Sequence, residues 1–234
     1  MATQTDKLVH ELFAAQAHLG HKPNRVHPRA KKYIYTIENG VSIIDLSQTA
    51  VLLQKAEEYA AALGKEQKKL LVVVTKKIAA AKAEEICKTN GLPYIVTKWP
   101  AGLLTNFETI KKNITKLNQM RIDKERGEWQ KLVKHEQSGL NRELAKLERH
   151  YGGLSTLEKP PDALFVIDIK KEKNCVKEAR TMQIPIVAIV DTNVDPTLVT
   201  YPVPANDDSL SSVEYLVQRI ITSYKKNTPT TATK

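Results

Sequence analysis

One stretch of the sequence concentrates groups that can bind an anion. His18, His21, Lys22, Arg25, His27, Arg29, Lys31 and Lys32 follow one another with no acid before Glu38. Lysine offers a compact point charge and arginine a planar fork that grips two oxygens of a phosphate or carboxylate. An imidazole in such a company can hydrogen-bond, stack or ligate a metal. A second basic pair, Lys76-Lys77, follows Thr75 directly after the apolar run Leu70-Leu-Val-Val-Val74. Placed at the end of a buried strand, these two lysines are either phosphate ligands or simply the exposed start of a helix. Two acidic clusters, Asp191-Thr-Asn-Val-Asp-Pro196 and Asn206-Asp-Asp208, offer carboxylate and amide oxygens. They suit a hard cation such as Mg²⁺, or else the turn and cap chemistry in which Asp and Asn bond their own backbone.

Other chemistries are poorly supplied. The chain has 9 glycines and neither G-x-G-x-x-G nor G-x-x-x-x-G-K-[ST], so backbone-cradled pyrophosphate binding has no local signature. Zinc sites usually pair Cys or His at close, regular spacing. Here His18 and His21 flank a glycine, and Cys87 and Cys175 lie far off. No local Ser-His-Asp or Cys-His signature is present. The balance of 36 Lys+Arg against 26 Asp+Glu, a net charge of +10, points to nucleic acid or an anionic membrane as partner. No apolar run reaches the ~18 residues of a membrane span, and no strongly amphipathic basic helix argues for a membrane surface. The two isolated cysteines fit reduced thiols, and the N-terminus reads as lacking a secretory leader.

The elements that must hold these groups follow from periodicity. Asp6–Ala17 reads as an amphipathic helix with Leu8, Leu12, Phe13 and Gln16 on one face, stopped by Gly20 and Pro23. Tyr33–Ile37 and Val41–Asp45 read as a hairpin turned at Glu38-Asn39-Gly40. Ser47 is the expected cap of a helix to Leu63, with Val51, Leu52, Ala56, Tyr59 and Leu63 as its stripe and Gly64 as its stop. Continuous apolar runs at 70–74, 163–167 and 186–190 read as strands buried on both faces. Further strands fall at 93–97 and, Pro-flanked and therefore at an edge, at 200–203. Helices at about 76–90, 173–182 and from an Asp207 or Asp208 cap to about 225 alternate with them. This predicts an α/β fold, a doubly wound, mostly parallel, flavodoxin-like sheet with an N-terminal β-hairpin.

More than sixty residues between Thr97 and Ala163 contain no strand signal. Phe107, Ile110, Ile114, Leu117 and Arg121 step by 3 and 4, as do Leu140, Leu144, Leu147, Tyr151 and Leu154. They predict an inserted antiparallel coiled-coil helical hairpin joined near 123–129, with many outward cations and interleaved acids. The expected organisation is a discontinuous α/β domain, 1–104 and 155–226, a hairpin at 105–154, and a disordered tail at 227–234.

Taken in order, these motifs resemble the bacterial-type small-subunit ribosomal protein number two family over about residues 8–221. The resemblance rests on His18-Leu-Gly-His21, Tyr33-Ile-Tyr35, Asn39-Gly40 with Ile43-Ile-Asp-Leu46, Thr75-Lys-Lys77 and Leu104-Thr-Asn-Phe107. It rests also on Gly152-Gly153, Ile184-Pro185, Asp191-Thr-Asn193, Asp195-Pro196 and Asn206-Asp-Asp208. It implies a non-catalytic constituent of the small ribosomal subunit, bound to 16S-type ribosomal RNA and to neighbouring ribosomal proteins, including the large first protein of the bacterial small subunit. It implies no membrane and no homo-oligomer, and a cytoplasmic ribosome or that of an organelle. The RNA contacts expected are His18, His21, Lys22, Arg25, Arg29, Lys31, Lys32, Tyr33, Lys76, Lys77 and Lys98. No cofactor is expected beyond at most a structural Mg²⁺ at Asp191, Asp207 or Asp208. Two positions depart from the family pattern: Lys98 stands where an arginine is usual, and Ser211 where another arginine is usual. Both exchanges remove a bidentate fork. The alternative expectation is a nucleotide- or metal-dependent α/β enzyme working at the strand ends near Lys76, Asp191 and Asp207.

Overall fold

In a computed structural model, residues 4–226 are described; the tail expected at 227–234 lies outside them. Five parallel strands form the central sheet: β3 (Leu70–Val73), β4 (Tyr94–Ile95), β5 (Ala163–Ile167), β6 (Ile186–Val190) and β7 (Tyr201–Pro204), in the spatial order β4-β3-β5-β6-β7. Counted within the sheet this is second, first, third, fourth, fifth, the flavodoxin-like order. Its reversal lies between β3 and β5, where Leu70 to Val73 register with Ala163 to Val166. β1 (Ile34–Glu38) and β2 (Val41–Ile44) form a separate antiparallel hairpin, with Asn39 and Gly40 both at positive φ in its turn. Among the described residues no helix is long and apolar enough to cross a membrane.

The strands are apolar throughout because both sheet faces are covered. Leu70, Val72, Phe165, Ile167 and Val187 meet α1 (Gln4–Ala14), α2 (Leu46–Lys65), α3 (Lys77–Asn90) and α7 (Leu210–Lys226). Leu71, Val73, Leu164, Val166 and Ala188 meet α6 (Lys173–Thr181) and the root of α4 (Phe107–Glu125). Each fully buried Val or Leu contributes roughly 1.5–3 kcal/mol of transfer free energy. The edge position of β7 suits Pro202 and Pro204, which lack a ladder donor.

Several local expectations shift. α1 ends at Ala14, and Phe13 lies outside the core with more than half its surface exposed. Asp45, not Ser47, caps α2: its Oδ1 accepts from Ser47 N at 2.9 Å and Gln48 N at 3.4 Å. The buried stripe of α2 is Leu46, Ala50, Leu53, Ala56, Ala60 and Leu63, while Val51 is exposed. Alanines carry little hydropathic signal, yet their small volume is what lets α2 approach α7. Gly64 lies inside α2, whose last residue is Lys65. β4 is cut to Tyr94–Ile95 because the chain turns away toward Trp99, and Asp207 is not a helix cap but a buried carboxylate.

The helical hairpin is α4 with α5 (Lys134–Tyr151), joined through residues 126–133 rather than 123–129. Its root belongs to the main core, since Phe107, Ile110 and Ile114 pack with Trp99, Leu103 and Leu104 over the sheet. Only the outer half has its own small cluster, of Leu117, Met120, Trp129 and Leu144. Across the two helices Arg121 grips Glu148 through Nε and Nη2, each at 2.6 Å, and Lys116 Nζ reaches Glu143 at 2.5 Å.

Candidate nucleic-acid interface

The cationic loop is laid between the β1–β2 hairpin and the carboxyl ends of β6 and β7. Backbone pairing fixes it on the hairpin side: Gly20 N donates to Ser42 O at 2.9 Å, Ser42 N to His21 O at 3.1 Å, and Ile44 N to His18 O at 2.8 Å. On the sheet side His21 N donates to Thr192 Oγ1 at 2.9 Å and His27 N to Thr192 O at 2.8 Å. Asn206 N donates to Ala17 O at 3.0 Å. The gap leaves no room for a side chain at Gly20, where a Cβ would stand 2.7 Å from Thr192 Cγ2 and 3.0 Å from Ser42 O. Two short 3-10 turns, Pro23–Arg25 and Pro28–Tyr33, then carry the cations. Each opens on proline, whose fixed φ suits a first helical position.

Beneath the loop, charges gather at the strand ends. His21 Nδ1 lies 3.1 Å from Asp191 Oδ2, and His21 Nε2 lies 3.6 Å from Asp208 Oδ2 and 2.7 Å from Asn193 Nδ2. Lys76 Nζ stands 2.6 Å from Asp207 Oδ1, 2.6 Å from Asp208 Oδ1 and 3.9 Å from Asp168 Oδ2. Asp191 is 1% exposed, and its Oδ2 accepts no aligned hydrogen bond despite the nearby imidazole. The carboxylate of Asp191 holds the His21 ring above the usual imidazole range against the opposing effect of burial. Burial pulls the Lys76 ammonium down, but Asp207 and Asp208 outweigh it and the net shift is upward. Burial, then Asp191, pushes Asp207 up to about 7, while the Lys76 ammonium holds Asp208 below the ordinary carboxylate range.

The expected RNA contacts therefore divide. Lys22, Arg25, Lys31, Lys32, Lys77 and Lys98 are exposed and form no ion pair among the described residues. Arg29 is exposed but tethered, its Nη1 at 2.7 Å from Asp195 Oδ2 and 2.9 Å from Thr197 Oγ1. Four of the expected contacts lie less openly than the sequence suggests. Lys76 and His21 are turned inward, toward the strand-end carboxylates of Asp191, Asp207 and Asp208. Tyr33, the last residue of the 3-10 turn, is buried; the outward ring is Tyr35, 77% exposed. His18 is half-buried and stacks on Phe13 with ring centroids 4.3 Å apart, and burial lowers its pKa, which favours the neutral ring.

Of the three acids proposed from sequence for a cation, Asp207 faces Lys76. The donors that converge are instead His21, Asp191 and Asp208, with one ligand atom each within 4.8 Å of the others. Sequence reasoning also missed Glu178. Its carboxylate accepts from Trp99 Nε1 at 3.0 Å, Gly102 N at 2.9 Å and Leu104 N at 3.1 Å, fixing the loop that carries Lys98 into α4. A lone glutamate among lysines gives no local cue to such a role.

Comparison with known proteins is consistent across the chain. The family model described as "Ribosomal protein S2" matches residues 12–227. The "Small ribosomal subunit protein uS2" of Dictyoglomus thermophilum is 44% identical over 213 residues, covering 91% of this chain and 87% of that protein. The protein of the same description from Dehalococcoides mccartyi, strain 195, is 41% identical over 215 residues, covering 92% and 88%. That of Coprothermobacter proteolyticus is 40% identical over 210 residues, covering 90% and 78%.

Proposed function

The chain belongs to the ribosomal protein S2 family, and from that membership we propose a structural role in the small ribosomal subunit, in which the loop at residues 18–33 binds ribosomal RNA. The observation that supports this most directly is the mounting of the loop. Exposed Lys22, Arg25, Lys31 and Lys32 stand on a base locked by backbone hydrogen bonds at both sides. Preorganised cations lose little conformational entropy on meeting phosphates, and RNA is read largely through backbone and shape. Lys77 and Lys98 extend the same surface chemistry. Neighbouring ribosomal proteins, including the large first protein of the small subunit, complete the set of partners, and a ribosome of the cytoplasm is the setting. At the strand ends Lys76 is paired with Asp207 and Asp208 rather than presented to an outside anion.

Sedimentation of a lysate through a sucrose gradient tests the reading. The protein is expected in the small-subunit peak at low salt; its absence from that peak overturns it. Replacing Arg25, Lys31 and Lys32 together by Ala should lower the salt slope of RNA binding, each lost phosphate contact removing roughly 0.7–0.9 from it.

A second reading concerns His21, Asp191 and Asp208. One divalent cation shared by these donors would tie the loop to the sheet. An imidazole among the donors favours a Zn²⁺-class ion over the Mg²⁺ suggested by the acids alone. Adding Zn²⁺ to chelator-treated protein should raise its unfolding midpoint, and an unchanged midpoint removes this reading.

A further inference from the structure

A basic face exists on the side of the sheet away from α2 and α7. We infer that α6, through Lys173, Lys177 and Arg180, is a second RNA-phosphate contact of this chain; the inference rests on the ribosomal reading above.

α6 sorts its charges by face. Its buried side, Cys175, Val176 and Ala179, packs on the sheet. Its acids are turned to structural work. Glu178 accepts three N–H donors from the 99–104 loop, and Glu172, just before the helix, is buried and accepts the Thr75 hydroxyl. Lys171 is spent as well, donating to Thr75 O at 2.6 Å. Lys173, Lys177 and Arg180 remain. All three are exposed, and none forms an ion pair among the described residues. The outside of α6 is thus cationic with no compensating acid. On the hairpin, by contrast, Lys116 and Arg121 each meet a glutamate of the facing helix.

This arrangement weakens the isolated helix. Lys173 and Lys177 are like charges at i, i+4, which repel by about 0.2–0.5 kcal/mol. Lys173 also sits in the first turn, where the helix dipole disfavours a cation. An anionic partner reverses both costs. From Lys173 to Arg180 the helix rises about 10 Å, room for about three phosphates at ~3.4 Å of duplex axis per strand. Beside the cations a groove of about 430 Å³ has Ile169, Val176 and Leu198 in its lining, an apolar floor against which a ribose can rest. An unneutralised row of Lys and Arg selects phosphate over a protein face of mixed charge.

The test uses the full-length protein and purified small-subunit ribosomal RNA, with binding measured across a salt series. A variant carrying Lys173→Gln, Lys177→Gln and Arg180→Gln is compared with wild type and with Arg25→Gln, Lys31→Gln, Lys32→Gln. The expected result is a salt slope shallower by about 2 for the α6 variant, from 0.7–0.9 per lost contact. Lysine modification of the wild type should also show Lys173 and Lys177 protected by RNA alone. Salt-independent wild-type binding sinks the ribosomal reading itself. Normal wild-type binding with an unchanged slope for the α6 variant overturns only the α6 inference. Protection of these lysines in the assembled subunit but not on RNA alone also overturns it, because a protein neighbour would then cover the face.

Discussion

Charged residues do different work at the strand ends and on the helical hairpin. At the strand ends Lys76 is 17% exposed in its side chain and Asp207 5%, and the ammonium meets three carboxylates. On the hairpin Lys116 and Glu143 are about half exposed. The first arrangement encloses Lys76 and Asp207, so removing the lysine strands the Asp207 carboxylate in a poorly solvated site. The second is solvated, and such pairs contribute about 0–1 kcal/mol. A count of lysines treats the two alike, yet only Lys76 ties the ends of β3, β5 and β7 together.

The sharpest test of this difference replaces one lysine in each region. Lys76→Ala should lower stability by about 3 kcal/mol, the usual cost of breaking a buried pair. Lys116→Ala should cost less than about 1 kcal/mol. Both are read from urea midpoints at neutral pH. Equal losses would show that the strand-end cluster is no more enclosed than the hairpin surface.

Next in size is the clamp at Gly20. Gly20→Ala sets a methyl group against Thr192 and the Ser42 carbonyl. Overpacking of this kind costs about 1–3 kcal/mol. Because the loop must shift to relieve it, RNA affinity should fall along with stability. A destabilised variant that binds RNA normally would uncouple loop position from binding.

A pH experiment isolates one enclosed acid. Burial raises the Glu172 carboxyl above its ordinary value, more than Thr75 and Lys171 lower it. A group raised on folding supports the fold fully below its unfolded value, near 4.3, and that support is lost as pH climbs through the folded value. Ionised Glu172 therefore weakens the protein at neutral pH. Glu172→Gln should be more stable than wild type at pH 8, with the advantage shrinking toward pH 4. A gain that stays constant from pH 4 to 8 would mean that packing, not ionisation, is responsible.

The sheet was legible because its strands are buried on both faces, and short, β-branched continuous runs such as Ala163–Ile167 and Ile186–Val190 mark such strands. The hairpin was legible through its 3-and-4 stepping, although its root merges with the main core. The interface was legible only as composition. Nothing in Lys76-Lys77 says that the first lysine turns to Asp207 while the second faces out. That choice is made by β7, which delivers Asp207 from 131 residues further along the chain. Tyr33 and Tyr35 likewise look equivalent until the bend from 3-10 turn to strand puts one ring in and the other out. Glu178 and the α6 cations stayed hidden because α6 reads as an ordinary charged helix until its acids are seen to face inward.

The smallest effect falls on the hairpin and has the opposite sign. Gly139 lies in the second turn of α5, exposed, with nothing within 4 Å of where a Cβ would stand. Glycine inside a helix costs about 0.5–1 kcal/mol relative to alanine, mostly through the freedom of the unfolded chain. Gly139→Ala should therefore stabilise the protein by that amount, whereas the same exchange at Gly20 weakens it. Thermal unfolding of the two variants side by side gives the contrast directly. Should Gly139→Ala destabilise instead, the outer hairpin would have to bend at this position, and α5 could not be the straight, solvated arm whose glutamates pair with the cations of α4.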